Sequence, residues 1–206
     1  MAVRLKTRWH RSKRSERNRE GSRREKSLEN LSSVVAINIW KLAKETFTRM
    51  EKENFRFRED TQAIDFIAEF CIFMLHITDR MIYGKLDEEQ RGPLINGIAM
   101  EIAKTIEANQ TDLLGPGDAP GASPCDYLDA FIEKLNDRLA NYAECGFDEE
   151  EGPAYDFKRY LAQNIAGIMS ITDDKWVLEQ VMDIEAPEII ERIQPVVRDV
   201  LSIKKK

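Results

Sequence analysis

At 206 residues, 42% hydrophobic and 33% charged, the chain can bury the core of one domain, or of two small ones at most. Its charge load suits helices with solvated faces, and the net charge of −6 hides a split: residues 1–26 carry eleven Lys/Arg against Glu16, Glu20 and Glu25, a net of +8, leaving −14 for the remainder. No apolar segment follows the N-terminal charges, so a secretory signal is not expected, and the best apolar run is broken at Asp65, Glu69 and His76 before the roughly 18 residues that a bilayer span needs.

Residues 1–26 have little apolar content beyond Val3, Leu5 and Trp9, too little to offset the entropy of ordering, so a disordered basic tail is expected. Arg8, Arg11, Lys13, Arg14, Arg17, Arg19, Arg23 and Arg24 are the candidate contacts to nucleic acid or an anionic membrane, through charge and counterion release. Trp9 and His10 would add stacking or a lipid-interface contact. Competing readings are a targeting presequence, an upstream start, a tail lying on the acidic body, or no specific partner. Basic residues on all sides of a helical wheel count against a transit peptide.

From Ser27 the pattern turns helical, with Leu28, Leu31, Val35, Ile39, Leu42 and Phe47 at helical spacing to about Asn54. A charged link, Arg56 to Asp60, leads into an almost wholly apolar helix from Thr61 to Tyr83, stopping at Gly84. At about 100° per residue, Asp65, Glu69, His76, Asp79 and Arg80 fall in roughly a 100° arc, one narrow polar stripe on an otherwise apolar helix. The stripe reads first as the strip this helix shows to water or a partner, then as a buried polar network, and last as a metal or catalytic site. The candidate metal ligands are Glu69, His76 and Asp79, joined by Glu45 or Glu101 from neighbouring helices. Glu69 and His76 lie two turns apart, about 10.5 Å of rise, and are poor co-ligands for one ion. The Glu-x-x-His pairs of di-iron carboxylate bundles are missing: neither histidine follows a Glu by three positions.

Asp87 with Gln90 looks like a capping box; Pro93 predicts a turn, then a helix from Pro93 to about Leu113. Gly115 to Pro124 (GPGDAPGASP) is a loop or hinge, and Ser123-Pro124 starts a helix with the stripe Leu128, Phe131, Ile132, Leu135, Leu139 and Tyr142. An acidic loop from Gly146 to Pro153 precedes a helix from Tyr155 to Ser170; Thr172 caps the next, with Asp173 and Asp174 at its positive end. Pro187 should open the last helix and Pro195 kink it before the Lys204–Lys206 tail. No strand of convincing alternation is expected, and no repeat of solenoid period is present.

Cys71, Cys125 and Cys145 are odd in number, widely spaced and form no C-x-x-C pair, which fits buried thiols in a reducing compartment and a cytoplasmic protein. Cys125 lies near a helix start, where a thiolate is favoured, but has no histidine nearby in sequence. Asp148, Glu149, Glu150 and Glu151 lack the spacing and glycine of an EF-hand loop. Phosphate-loop, dinucleotide and nucleophile-elbow signatures are absent.

The expected fold is all-α: an irregular bundle of six to seven helices over residues 27–206, with the 61–83 helix central and the Gly/Pro-rich loop at 115–124. The function expected is a non-enzymatic protein-interaction or self-associating module, a homodimer by default, with a basic tether and no cofactor. The alternative is a divalent-metal carboxylate/histidine bundle with oxidoreductase-type or hydrolytic activity.

Overall fold

The computed structural model describes residues 28–53, 55, 60–114, 125–169 and 175–202. The elements are α1 Leu28–Lys52, α2 Asp60–Ile82, α3 Glu88–Leu114, α4 Cys125–Glu144, β1 Phe147–Asp148, β2 Gly152–Pro153, α5 Tyr155–Met169, α6 Lys175–Gln180, a π turn Val181–Glu185, and α7 Ala186–Leu201. The last three form one continuous rod, because Gln180 and Ala186, which flank the π turn, both keep right-handed helical backbone angles. Six helical rods therefore stand among the described residues, an all-α bundle. The basic candidates between Arg8 and Arg24, the 115–124 loop, the cap at Thr172 and the Lys204–Lys206 tail lie outside the described residues.

Helix α2 is the axis of the bundle. Phe66, Phe70, Phe73, Ile64, Ile67 and Ile72 are fully buried, and α1, α3, α4, α5 and α7 all pack on it. Burying each such side chain contributes about 1.5–3 kcal/mol, so this helix carries much of the core. By length and apolar content Thr61–Ile82 meets the test for a membrane span, with 83% of that window covered by the protein's own helices. Gly84, at φ +71°, ends it in a left-handed turn that Cβ-bearing residues resist, with Leu86 N–H donating to Ile82 O.

Against α2 lie α1 and α3, which approach closely at their N-terminal ends. A Cβ on Gly97 would stand 2.4 Å from Ser32 Oγ, so any larger residue must displace that hydroxyl, which donates to Leu94 O at 3.2 Å. Helix α3 corrects the expected turn at Pro93: it begins at Glu88, capped by Asp87, whose carboxylate accepts Gln90 N–H at 2.9 Å, and runs through Pro93. The proline's missing N–H leaves only the first-turn carbonyl of Glu89 without a helical donor, and both residues are exposed to water. Burial of Leu94, Ile98 and Ile102 holds the helix across the defect.

Two further expectations change. The acidic loop is a small antiparallel hairpin, Phe147 opposite Pro153 and Asp148 opposite Gly152. Its turn is closed by Asp148 Oδ1, which accepts the N–H groups of Glu150 at 2.7 Å and Glu151 at 2.9 Å. These bonds hold the Asp148 carboxyl below its usual range, so the loop's first acid serves the turn. At the C-terminus Pro187 stands in the first turn of α7, as expected, but no break precedes it. A π turn leads straight into α7, with Ala186 N–H reaching five residues back to Val181 O. Helix α7 then runs on through Pro195 to Ser202, which takes a left-handed conformation at φ 55°. Ile189, Ile193 and Val197 seat it in the core that α1 and α2 share.

Candidate functional site

The polar stripe of α2 is buried at Glu69 and His76 and partly open to water at Asp65, Asp79 and Arg80. It forms the seam with α4, pairing in steps of four: Lys134 Nζ donates to Asp65 Oδ1 at 2.5 Å, and Arg138 donates to both oxygens of Glu69 at 2.9 and 3.3 Å. One turn further on, the Phe73 and Tyr142 rings lie 6.3 Å apart. Equal steps in the same chain direction mean that α2 and α4 run parallel. The like-charge pair Asp65/Glu69 is thus met by a cation pair at the same spacing, which removes its repulsion. Glu69 is 1% exposed and Arg138 25%, so the guanidinium plugs the mouth of a site whose carboxylate is out of water.

Beyond Glu69 the seam becomes aromatic. The His76 ring stacks on Tyr142 at 4.8 Å, and Tyr142 packs against Phe157 at 4.6 Å and Tyr160 at 4.9 Å. His76 Nε2 and the Tyr142 hydroxyl are both buried with no hydrogen-bond partner among the described residues. Burial, followed by the nearby Arg80 charge, drives the His76 pKa down to about 4, so the imidazole is neutral at physiological pH. Burial, and next the Glu69 charge, pushes the Tyr142 phenol well above its usual value. The Tyr160 hydroxyl is already engaged, accepting from Asn141 Nδ2 at 3.0 Å.

The remaining stripe residues point to other ends. Asp79 accepts from Arg91 Nη1 at 2.5 Å, tying α2 to the start of α3. Arg80 donates to Cys145 O at 2.7 Å and Ala143 O at 3.3 Å, capping the carbonyl end of α4. The candidate ligands Glu69, His76 and Asp79 are therefore not brought together. Glu69 belongs to Arg138, His76 to the aromatic cluster and Asp79 to Arg91. Glu45 pairs with Arg192 at 2.5 Å, and Glu101 with Lys104 at 3.0 Å. Among the described residues no three His, Cys, Asp or Glu side chains converge to hold a metal ion. Cys71 is buried and its thiol pushed up by that burial; Cys145 is half-buried, and neither is in a disulfide. The Cys125 side chain lies outside the described residues.

A second polar centre escapes the sequence reading. Glu185, 0% exposed and at the end of the π turn, accepts from Arg49 Nε at 3.0 Å and from Gln180 Nε2 at 3.0 Å, with Arg49 Nη2 on the same carboxylate. Arg49 also binds Glu188 at 2.5 Å, and Arg192 links Glu188 to Glu45, so an ionic chain laces α1 to α7. The signal was present: Val177, Val181, Glu185, Ile189, Ile193 and Val197 recur every four residues, with one carboxylate in an apolar row.

The surface offers a feature of another kind. A groove of about 570 Å³ runs between α5, presenting Tyr155, Arg159 and Gln163, and the rod, presenting Lys175, Leu178, Glu179, Met182 and Asp183. Tyr155 is 64% exposed at its edge, while Leu178 and Met182 are half-buried against the core. A larger space of about 660 Å³ borders only the outer face of α1, from Ile37 to Lys52, among the described residues. Comparison with protein-family models, with curated proteins and with solved structures gives no match.

Proposed function

We propose that this chain is a non-catalytic helical module that binds protein in the cytoplasm, and that it docks its partner in the groove between α5 and the C-terminal rod. The observation that carries the reading is that groove: two helical walls, an apolar floor of Leu178 and Met182, an exposed tyrosine and a charged rim. Helix-in-groove recognition uses this arrangement, and a flexible methionine suits such a floor. The polar stripe supports the same reading, because its carboxylates are neutralised by Lys134, Arg138 and Arg91 and present no free pair for acid–base chemistry. The free thiols Cys71 and Cys145 agree with a reducing compartment.

The test is a photo-crosslinking amino acid placed at Tyr155 in the full chain inside cells, with the same group at Tyr83, an exposed tyrosine away from the groove, as control. Discrete protein adducts from position 155 and none from 83 are expected. Absence of any adduct at 155, or stoichiometric metal in protein purified without chelator that is lost in His76→Ala, overturns the reading.

A further inference from the structure

The start of α1 meets the start of α3 at Ser32 and Leu94, and the end of α2 meets the start of α3 at Asp79 and Arg91, so α1 and α2 are antiparallel. Helix α5 and the rod are then antiparallel too, since Arg49 and Glu45 at the end of α1 meet Glu185 and Arg192 in ascending order along the rod while Ile168 at the end of α5 meets Gln62 at the start of α2. Counted from the connection between them, Arg159 lies ten residues before the end of α5 and Asp183 eight after the start of the rod, about 15 and 12 Å at 1.5 Å per residue, so the two stand near the same level across the groove, as do Gln163 and Glu179 at six and four residues. Lys175 and Glu179 approach each other at 4.0 Å on the rod wall. Among the described residues that line the groove, that leaves Arg159 as the cation of one wall and Asp183 as the anion of the other, both exposed.

We propose that the occupant of the groove is a second copy of this chain, related by a two-fold axis running along the groove. The proposal rests on the docking reading above and names its partner. Such an axis places the α5 wall of one copy over the rod wall of the other at the same level. Arg159 then meets the Asp183 carboxylate of the second copy, and Asp183 meets its Arg159, so one contact is made twice. Gln163 faces Glu179 in the same way. Leu178 and Met182, on the groove floor, meet their own copies at the axis, where an isologous interface needs apolar self-contact. Each helix gains antiparallel neighbours on both sides, and the two hairpins close into a four-helix bundle. An axis across the groove would instead lay each wall over its own copy, which the one-cation, one-anion division of the walls does not reward. With α5 only about 22 Å long, the footprint is at the small end of specific interfaces, so the dimer is reversible.

Sedimentation of the full chain from about 1 to about 500 µM tests it, a range that covers weak, small interfaces. The wild type should shift from monomer to dimer with concentration. Arg159→Glu alone and Asp183→Arg alone should each weaken dimerisation by about tenfold or more, through like charges facing each other twice. Mixing the two single variants should restore association as a heterodimer, and the double variant should restore the homodimer. Circular dichroism of both exposed-site variants should be unchanged. A wild type monomeric throughout, or single variants that do not rescue each other, overturns the dimer. In that case a groove adduct at Tyr155 with a mass other than two chains keeps the docking reading standing, whereas no groove adduct sinks both.

Discussion

Glu69 and Glu185 are both removed from water and both closed by an arginine that is one-quarter to one-third exposed, yet their surroundings differ. Around Glu185 the donors are complete: Arg49 and Gln180 both reach it, and the π turn re-aims the rod so that one carboxylate in an apolar row meets them. Around Glu69 Arg138 is the one side-chain donor among the described residues, and along the same seam His76 and Tyr142 keep buried polar atoms without partners among them. Both acids borrow an arginine from a neighbouring helix; the contrast is that Glu185 gains a further donor from its own rod, Gln180 across the π turn, whereas Glu69 on a regular helix gains none among the described residues. The second solution leaves slack.

Each consequence of that difference is measurable. Arg49→Met leaves Glu185 buried against Gln180 alone and Glu188 with Arg192 alone, so about 3–5 kcal/mol of stability should vanish in urea unfolding. A loss under 1 kcal/mol would mean that the carboxylate is not confined as described. Arg138→Met should cost less, about 2–3 kcal/mol, because one carboxylate loses its cation where Arg49 serves two; equal losses in the two variants would erase the distinction. Acid separates the regions too. With His76 at about 4 folded and near 6.5 unfolded, protons bind the unfolded chain first. Its contribution is intact above pH 6.5, drains as pH falls toward 4 and is gone below, at most about 3 kcal/mol. His76→Phe should therefore lose less stability than wild type between pH 7 and pH 4.5, and parallel losses would show that the ring is not held neutral. Tyr142→Phe removes an unpartnered hydroxyl and should be neutral or stabilising by up to about 1 kcal/mol. The smallest effect is expected from Lys134→Ala, whose partner Asp65 is 48% exposed: under about 1 kcal/mol, and weaker still in high salt.

Much of the architecture was legible from periodicity. The central helix, its stop at Gly84 and the packing rows of α1 all follow from apolar spacing, because burial of a helical face has a period that a chain must write into itself. Proline misled at Pro93, since a missing N–H decides a helix end only when no packed face carries the helix across it; Pro187 does stand in the first turn of α7, but a π turn joins that helix to α6 without a break. In α4 the stripe included Leu139, which is 50% exposed, and passed over Lys134 and Arg138, which turn inward. Their spacing matches Asp65 and Glu69, but a match between residues 69 positions apart becomes a contact only once two helices are known to run side by side.

The amino-acid sequence alone determines that this chain is all-α, that the 61–83 segment is its axis, and which residues of that axis are polar. Which way the polar stripe points was settled by tertiary packing: α4 brings Lys134 and Arg138 to Asp65 and Glu69, α3 brings Arg91 to Asp79, and the metal-like trio is divided among three partners. Local pattern encodes which side chains want burial, because that preference is a property of each residue and its turn of helix. The partner that makes burial of a charge affordable comes from elsewhere in the chain, and no local period records it.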